Sequence, residues 1–172
     1  MGQRTQIVVK VTVASSPYSK EVSVHYGTYH NQWGLAKVQI KDIIRMLTYY
    51  NQSYDHYQLP RTLGKAWLTN QEEWCTDLTP EGVQKYLNTT DNNDGGVFLD
   101  LQVEYNEVIG GKIYLYSDPE AEKHRTERVE GPISLSTYIR SNPGYYDRDF
   151  YKAFISLCKH YNVEIVKGDV QC

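Results

Sequence analysis

Between Thr5 and Val13 the chain alternates without a break: Ile7, Val9, Val11 and Val13 fall on one face, Val8, Lys10 and Thr12 on the other. A period of two is the mark of a strand with one buried side. Ala14–Ser19 carries Ser-Ser-Pro and reads as a turn, and Glu21–Tyr26 alternates again. The two segments are expected to pair as an antiparallel hairpin, with Val22, Val24 and Tyr26 turned inward and Ser23 and His25 turned the other way.

Gly27–Gly34 reads as a polar and aromatic loop. Beyond it Ala36, Ile40, Ile43, Ile44 and Leu47 recur at helical spacing, with Lys37, Lys41, Asp42 and Arg45 between them, which predicts an amphipathic helix. Periodicity fades from Asn51 to Asp77, an irregular excursion with one short helix near Gln71. Leu78-Thr79-Pro80-Glu81 starts a second helix: Thr79 caps it, Pro80 needs no N–H partner in the first turn, and Glu81 complements the dipole. Val83, Tyr86 and Leu87 form its buried face. The Asn, Asp and Gly residues of Thr89–Gly96 mark a turn, and Val97–Tyr105 and Lys112–Tyr116, joined by a Gly110-Gly111 turn, predict a second hairpin.

Asp118–Glu130 reads as a charged loop or short exposed helix. Ser134 caps a brief helix through Leu135, Tyr138 and Ile139, ended by Asn142-Pro143-Gly144. A last helix over about 147–161 buries Phe150, Phe154, Leu157, Cys158 and Tyr161, and Val163–Val166 closes the chain as a strand. With no phosphate-loop signature, the expected fold is α+β: an antiparallel sheet built from two hairpins, with amphipathic helices on one face. The expected organisation is a single domain over 1–172 with an irregular insertion at about 51–78.

Composition narrows the function. At 172 residues the chain is long enough to bury roughly two thirds of its unfolded surface. Eighteen Lys and Arg against 21 Asp and Glu give a net charge of -3, so no global positive field draws it to nucleic acid or anionic membrane. No signal-peptide pattern and no run near the roughly 20 apolar residues of a membrane span are present. Cys75, Cys158 and Cys172 lack metal-ligand spacing and an even count, which fits a reducing cytoplasm. The 16 Tyr against 3 Phe supply aromatic surface with a polar tip, suited to cores that reach the surface and to stacking on planar ligands.

The candidate site is the aromatic and histidine-bearing segment of His25, Tyr26, Tyr29, His30 and Trp33. Two imidazoles whose ordinary pKa is about 6.5 can share general acid and base roles in phosphodiester cleavage, with Arg4, Lys10 or Lys37 to stabilise the charge that develops. Tyr26, Tyr29 and Trp33 can instead stack on a base without cleaving it. The pair also supplies two metal ligands, which His56, Asp55, Asp91 or Asp94 would have to complete. Packing alone also accounts for such residues, and no metal or other cofactor is expected. Asp91–Gly95 resembles a calcium loop but lacks the distal bidentate Glu, so a hairpin-entry turn is the better reading. Lys123, His124, Arg125 and Arg128 form the densest basic cluster, yet Glu120, Glu122, Glu127 and Glu130 are interleaved, the pattern of a solvated face. Cys75 beside Trp74 has no nucleophile signature around it and reads as a packing residue.

The opening Met1-Gly2-Gln3-Arg4-Thr5-Gln6-Ile7, the loop ending in Trp33-Gly34, and Asp91-Asn92-Asn93-Asp94-Gly95-Gly96 with the hairpin after it resemble a group of small bacteriophage and prophage proteins of Gram-positive bacteria. Those proteins begin Met-Gly-Gln-Arg or Met-Gly-Thr-Arg and continue into a strand. The resemblance spans about half the chain and leaves Phe150–Cys172 outside it. It implies a phage accessory protein acting in the host cytoplasm, and it transfers no catalytic residue. Such a protein is expected to antagonise a host defence system, anti-CRISPR or similar, by binding a protein or protein–RNA target through its Tyr-rich loops. The alternatives are a small nuclease or phosphodiesterase acting through His25 and His30 on RNA or a nucleotide messenger, and a sponge that sequesters such a messenger.

Overall fold

The computed structural model describes residues 4–16, 19–31, 37–50, 67–68, 75–89, 93–105, 107–118, 128–140 and 147–168. Strands β1 (Arg4–Ser16) and β2 (Ser19–Asn31) form the first hairpin. β2 runs past the expected loop boundary, with unbroken register from Ala14↔Val22 to Thr5↔Asn31. Thr28 and Tyr29 favour extended backbone, and Gly27 and Thr28 are buried there. Helix α1 (Lys37–Tyr50) follows, and β3 (Trp67–Leu68) returns to pair with β2 at Tyr29↔Leu68 and His30↔Trp67. The excursion thus contributes a strand; the short helix expected near Gln71 lies outside the described residues.

Helix α2 (Pro80–Thr89) leads into β4 (Asn93–Glu104) and β5 (Glu107–Ser117). This second hairpin turns at Tyr105, whose φ is 50°, and not at Gly110-Gly111. Those glycines lie inside β5 beside a register shift that takes Gln102↔Gly110 to Val103↔Val108. Gly111, with φ 150°, lies against the Asp100 carbonyl, so the glycine pair serves a bulge. β6 (Glu130–Ile133), α3 (Leu135–Arg140), α4 (Arg148–His160) and β7 (Val163–Ile165) complete the described elements.

The sheet order is β3-β2-β1-β4-β5-β6, with β7 also on β5. The two expected hairpins are present, but the sheet is mixed rather than antiparallel. β1 and β4 pair in parallel from Arg4↔Asn93 to Ala14↔Glu104, and β7 runs parallel to β5. Parallel neighbours need a long crossover, here the chain through β2, α1, β3 and α2.

Helices cover both faces, not one. On the first face Ile7, Val9, Val11, Val97, Leu99, Leu101, Ile113 and Leu115 pack under Ile40, Ile43, Met46 and Leu47 of α1 and Tyr151, Phe154 and Cys158 of α4. On the second, Val83 and Leu87 of α2 pack on Val8, Phe98 and Tyr116. The α2 start is capped as expected, with the Gly82 amide donating to Thr79 Oγ1 at 3.1 Å, and the Thr137 amide donates likewise to Ser134 Oγ at the start of α3. Tyr151, rather than Phe150, takes the inner position on α4. A buried Gln39 ties three elements together: its Nε2 donates to the Gln6 carbonyl at 3.1 Å, and its Oε1 accepts from the Tyr138 hydroxyl at 2.6 Å. Among the described residues no helix is long and apolar enough to cross a membrane.

At the α1–α4 contact Lys37 Nζ lies 2.6 Å from Asp147 Oδ2 and 5.0 Å from the centre of the Phe150 ring. Asp147 also caps α4 by accepting from the Phe150 amide at 3.1 Å. The Lys37 hydrogen bond, then the Phe150 amide, hold its carboxyl below the ordinary value of 3.8. A depressed carboxylate stabilises the fold above its unfolded pKa, and that contribution is lost as pH falls through the folded pKa. Wild-type unfolding free energy should therefore decline below about pH 4 with a component that Asp147→Asn lacks, measured by denaturant titrations across pH 2–6. Gly96 tests the second face: a Cβ there would stand 2.6 Å from Leu87 Cδ1 and 3.2 Å from the Gln6 carbonyl oxygen. Leu87 is fully buried and has nowhere to go, so Gly96→Ala should cost about 1–3 kcal/mol of stability, read as a lowered denaturation midpoint.

Candidate functional site

The candidate residues do not converge. His25 and His30 both belong to β2, which takes in the segment of His30 expected to be a loop, and they sit opposite Val11 and Gln6 of β1. For Arg4, His25, Tyr29 and His30 the description extends to the main chain only. An odd separation along a strand of unbroken register puts positions 25 and 30 on opposite sides of the sheet, about 16 Å apart along the strand. General acid and base catalysis on one phosphate needs both groups at the same reacting atoms. Trp33, His124 and Arg125 lie outside the described residues. Arg128 is exposed before β6, next to Val129, whose amide and carbonyl are both bonded by the Asn88 side chain of α2. It therefore stands at the opposite end of the strand order from Tyr26. Of the cations considered for phosphate, Lys37 is paired with Asp147 and Lys10 with Asp100, the latter at 3.2 Å.

What the register assembles instead is an open half of the second sheet face. Strand pairing lines up Tyr26, Lys10, Asp100, Lys112 and Glu164 in one row across β2, β1, β4, β5 and β7. The next row holds Val24, Thr12 and Gln102, and the one after it Val22, Ala14 and Glu104. α2 is short and covers only the rows on the other side of Lys10, those of Val8, Phe98 and Tyr116. Tyr114, stacked on Phe98 with ring centres 5.3 Å apart, marks the boundary.

Val22, Val24 and Tyr26 are consequently 59%, 50% and 48% exposed, against the expectation that they turn inward. They share a face with Lys10 and not with Ile7, and no described helix reaches them. Ser23, on the other side of β2, is exposed as well, although its partner Val13 packs against the core. Beside the stripe the face carries both signs of charge, Lys10 and Lys112 alternating with Asp100 and Glu164. The Tyr114 hydroxyl is pushed up first by burial and then by the carboxylates of Asp100, Glu164 and Glu81. Adjacent apolar and aromatic side chains left in water, rimmed by charge, mark a surface for association. The sequence carried Tyr26 as a signal, but the charged row joins residues from four distant segments and emerges only with the register.

The two cysteines described are packing residues. Cys75 is buried and its thiol donates to the Asp77 carbonyl at 3.3 Å; burial raises its pKa to about 11. Cys158, in the α4 core face, is raised by burial to about 12. Among the described residues no three His, Cys, Asp or Glu side chains gather to hold a metal ion. Thiolate is the reactive form, so in a Cys172→Ser protein both thiols should resist iodoacetamide from pH 7 to 9 and react in denaturant, as read by intact mass. Comparison with protein-family models, with curated proteins and with solved structures finds no match to this chain.

Proposed function

We propose that the protein is a phage-type accessory factor that antagonises a host defence system by binding one of its protein components, with no catalysis of its own. The observation that carries this reading is the exposed stripe of Val22, Val24 and Tyr26 along β2. Tyrosine and branched aliphatic side chains held on a strand lose little conformational freedom on docking, which makes them efficient anchors. Lys10 and Lys112 stand among Asp100, Glu104 and Glu164 beside the stripe, so this face carries no net positive field for a phosphate backbone, and its charges of both signs suit a polar rim against a protein surface. A protein–RNA complex is therefore engaged through its protein. The phage setting rests on the resemblance of the opening residues and of the Asp91–Gly96 turn.

The test is rescue of phage growth. Expression in a host carrying the targeted defence system should restore plaque formation by a sensitive phage. Val24→Asp and Tyr26→Ala, both at exposed positions, should weaken binding to the defence component by about tenfold or more, the effect of losing on the order of 1.4 kcal/mol, with unchanged melting temperature. Cleavage of RNA, DNA or cyclic nucleotides by the purified protein, abolished in His25→Ala or His30→Ala, would overturn the proposal in favour of a phosphodiesterase. Reversible retention of an intact nucleotide would instead point to a sponge.

A further inference from the structure

A groove of about 570 Å³ lies on the far side of the sheet edge, between the start of α3, the outer flank of α4, and β7 with the chain after it. Its size falls in the range of small-molecule sites, roughly 300–1,000 Å³. Leu135, Ile155, Cys158, Val163 and Ile165 line it. Ile155 is left 38% exposed on a helix whose inner face is otherwise saturated by the core. The groove is walled on one side by Lys167 and Gly168. There the Val166 amide donates to the Ile113 carbonyl at 2.9 Å, and Gly168 is pressed against the Pro132 carbonyl where no side chain fits.

Among the described residues the basic side chains at this groove are Lys159 and Lys167. Both are exposed. Glu164 also borders it, but it stands in register with Lys112 on the opposite face, where its carboxylate acts on Tyr114. The Ser134 hydroxyl is occupied as the cap of α3 and by the Ser136 and Thr137 hydroxyls, each at 2.9 Å. The Cys158 thiol is neutral and adds to the apolar floor. An apolar trough bordered by two lysines, with no carboxylate facing it among the described residues, complements a molecule with a hydrocarbon body and one anionic head.

We propose that this groove binds a small anionic amphiphile of the fatty-carboxylate class, its chain laid on Leu135, Ile155 and Ile165 and its carboxylate held by Lys159 and Lys167. The site is separate from the open face around Tyr26, so it stands whether or not that face meets a defence protein.

Dodecanoate, below its micelle concentration, is the probe, with dodecanol as the neutral molecule of equal chain length. Isothermal titration and native mass spectrometry should show one saturable equivalent of dodecanoate. Lys159→Glu with Lys167→Glu should weaken dodecanoate by about tenfold or more and leave dodecanol unchanged, while Ile155→Ser weakens both. If the double variant melts early, Lys167→Gln alone carries the comparison, with a smaller loss in the same direction. Absence of binding, uptake of several equivalents without saturation, or equal affinity in the lysine variants would overturn the proposal.

Discussion

The parallel pairing of β1 with β4 is the constraint on which the rest depends. Residue for residue from Thr5↔Gly95 to Ala14↔Glu104, it joins two hairpins that could otherwise have closed on themselves. It aligns Ile7, Val9 and Val11 with Val97, Leu99 and Leu101 on one face, so a single apolar surface spans four strands. α1 and α4 have something continuous to cover only because of that alignment. On the other face the same register sets Lys10 beside Asp100 and brings Val8 against Phe98, which fixes where α2 can sit and where its cover ends.

Polar side chains hold the helices to this sheet at a few chosen points. Gln39 reaches both the β1 backbone and the Tyr138 hydroxyl, satisfying donors and acceptors that burial would otherwise leave costly. Asn88 clasps both main-chain groups of Val129, and the Tyr116 hydroxyl donates to the Pro80 carbonyl at 3.0 Å. Each links elements far apart in sequence. Together they specify how helices sit on a sheet whose apolar contacts alone would tolerate sliding.

Local periodicity was enough to find the hairpin strands, α1, the capped starts of α2 and α3, and α4. Those signals are carried by neighbours such as Thr79 and Gly82, or Ile40, Ile43 and Leu47, and need no knowledge of the partner. Three things were not legible. Alternation in Glu21–Tyr26 shows that two faces differ, yet which one is covered depends on where α1, α2 and α4 end, so the pattern alone points Val22, Val24 and Tyr26 inward although no described helix covers them. The direction of β1 against β4 leaves no local trace, because parallel and antiparallel pairing use the same strand pattern. Gly110-Gly111 reads as a turn in any hairpin, and only the close approach of Gly111 to Asp100 reveals a bulge. The candidate site is the least legible part, since a loop at Gly27–Gly34 would let His25 and His30 meet, whereas the continuous strand β2 converts their proximity in sequence into separation across a sheet.

The β1–β4 seam also governs how this chain comes into being. Lys10 and Asp100, ninety positions apart, cannot meet until the whole intervening crossover has been made, whereas each hairpin closes over a handful of residues. Contacts of such long range are slow to form, and at synthesis rates of about 5–20 residues per second β1 waits several seconds for β4 to emerge. Throughout that interval β1 presents an unpaired strand edge rich in Ile and Val, the kind of edge that recruits other chains. Lys10, set in the middle of that apolar strand, is a charge such an intruder would have to bury, and it acquires its own counterion only when the correct partner arrives.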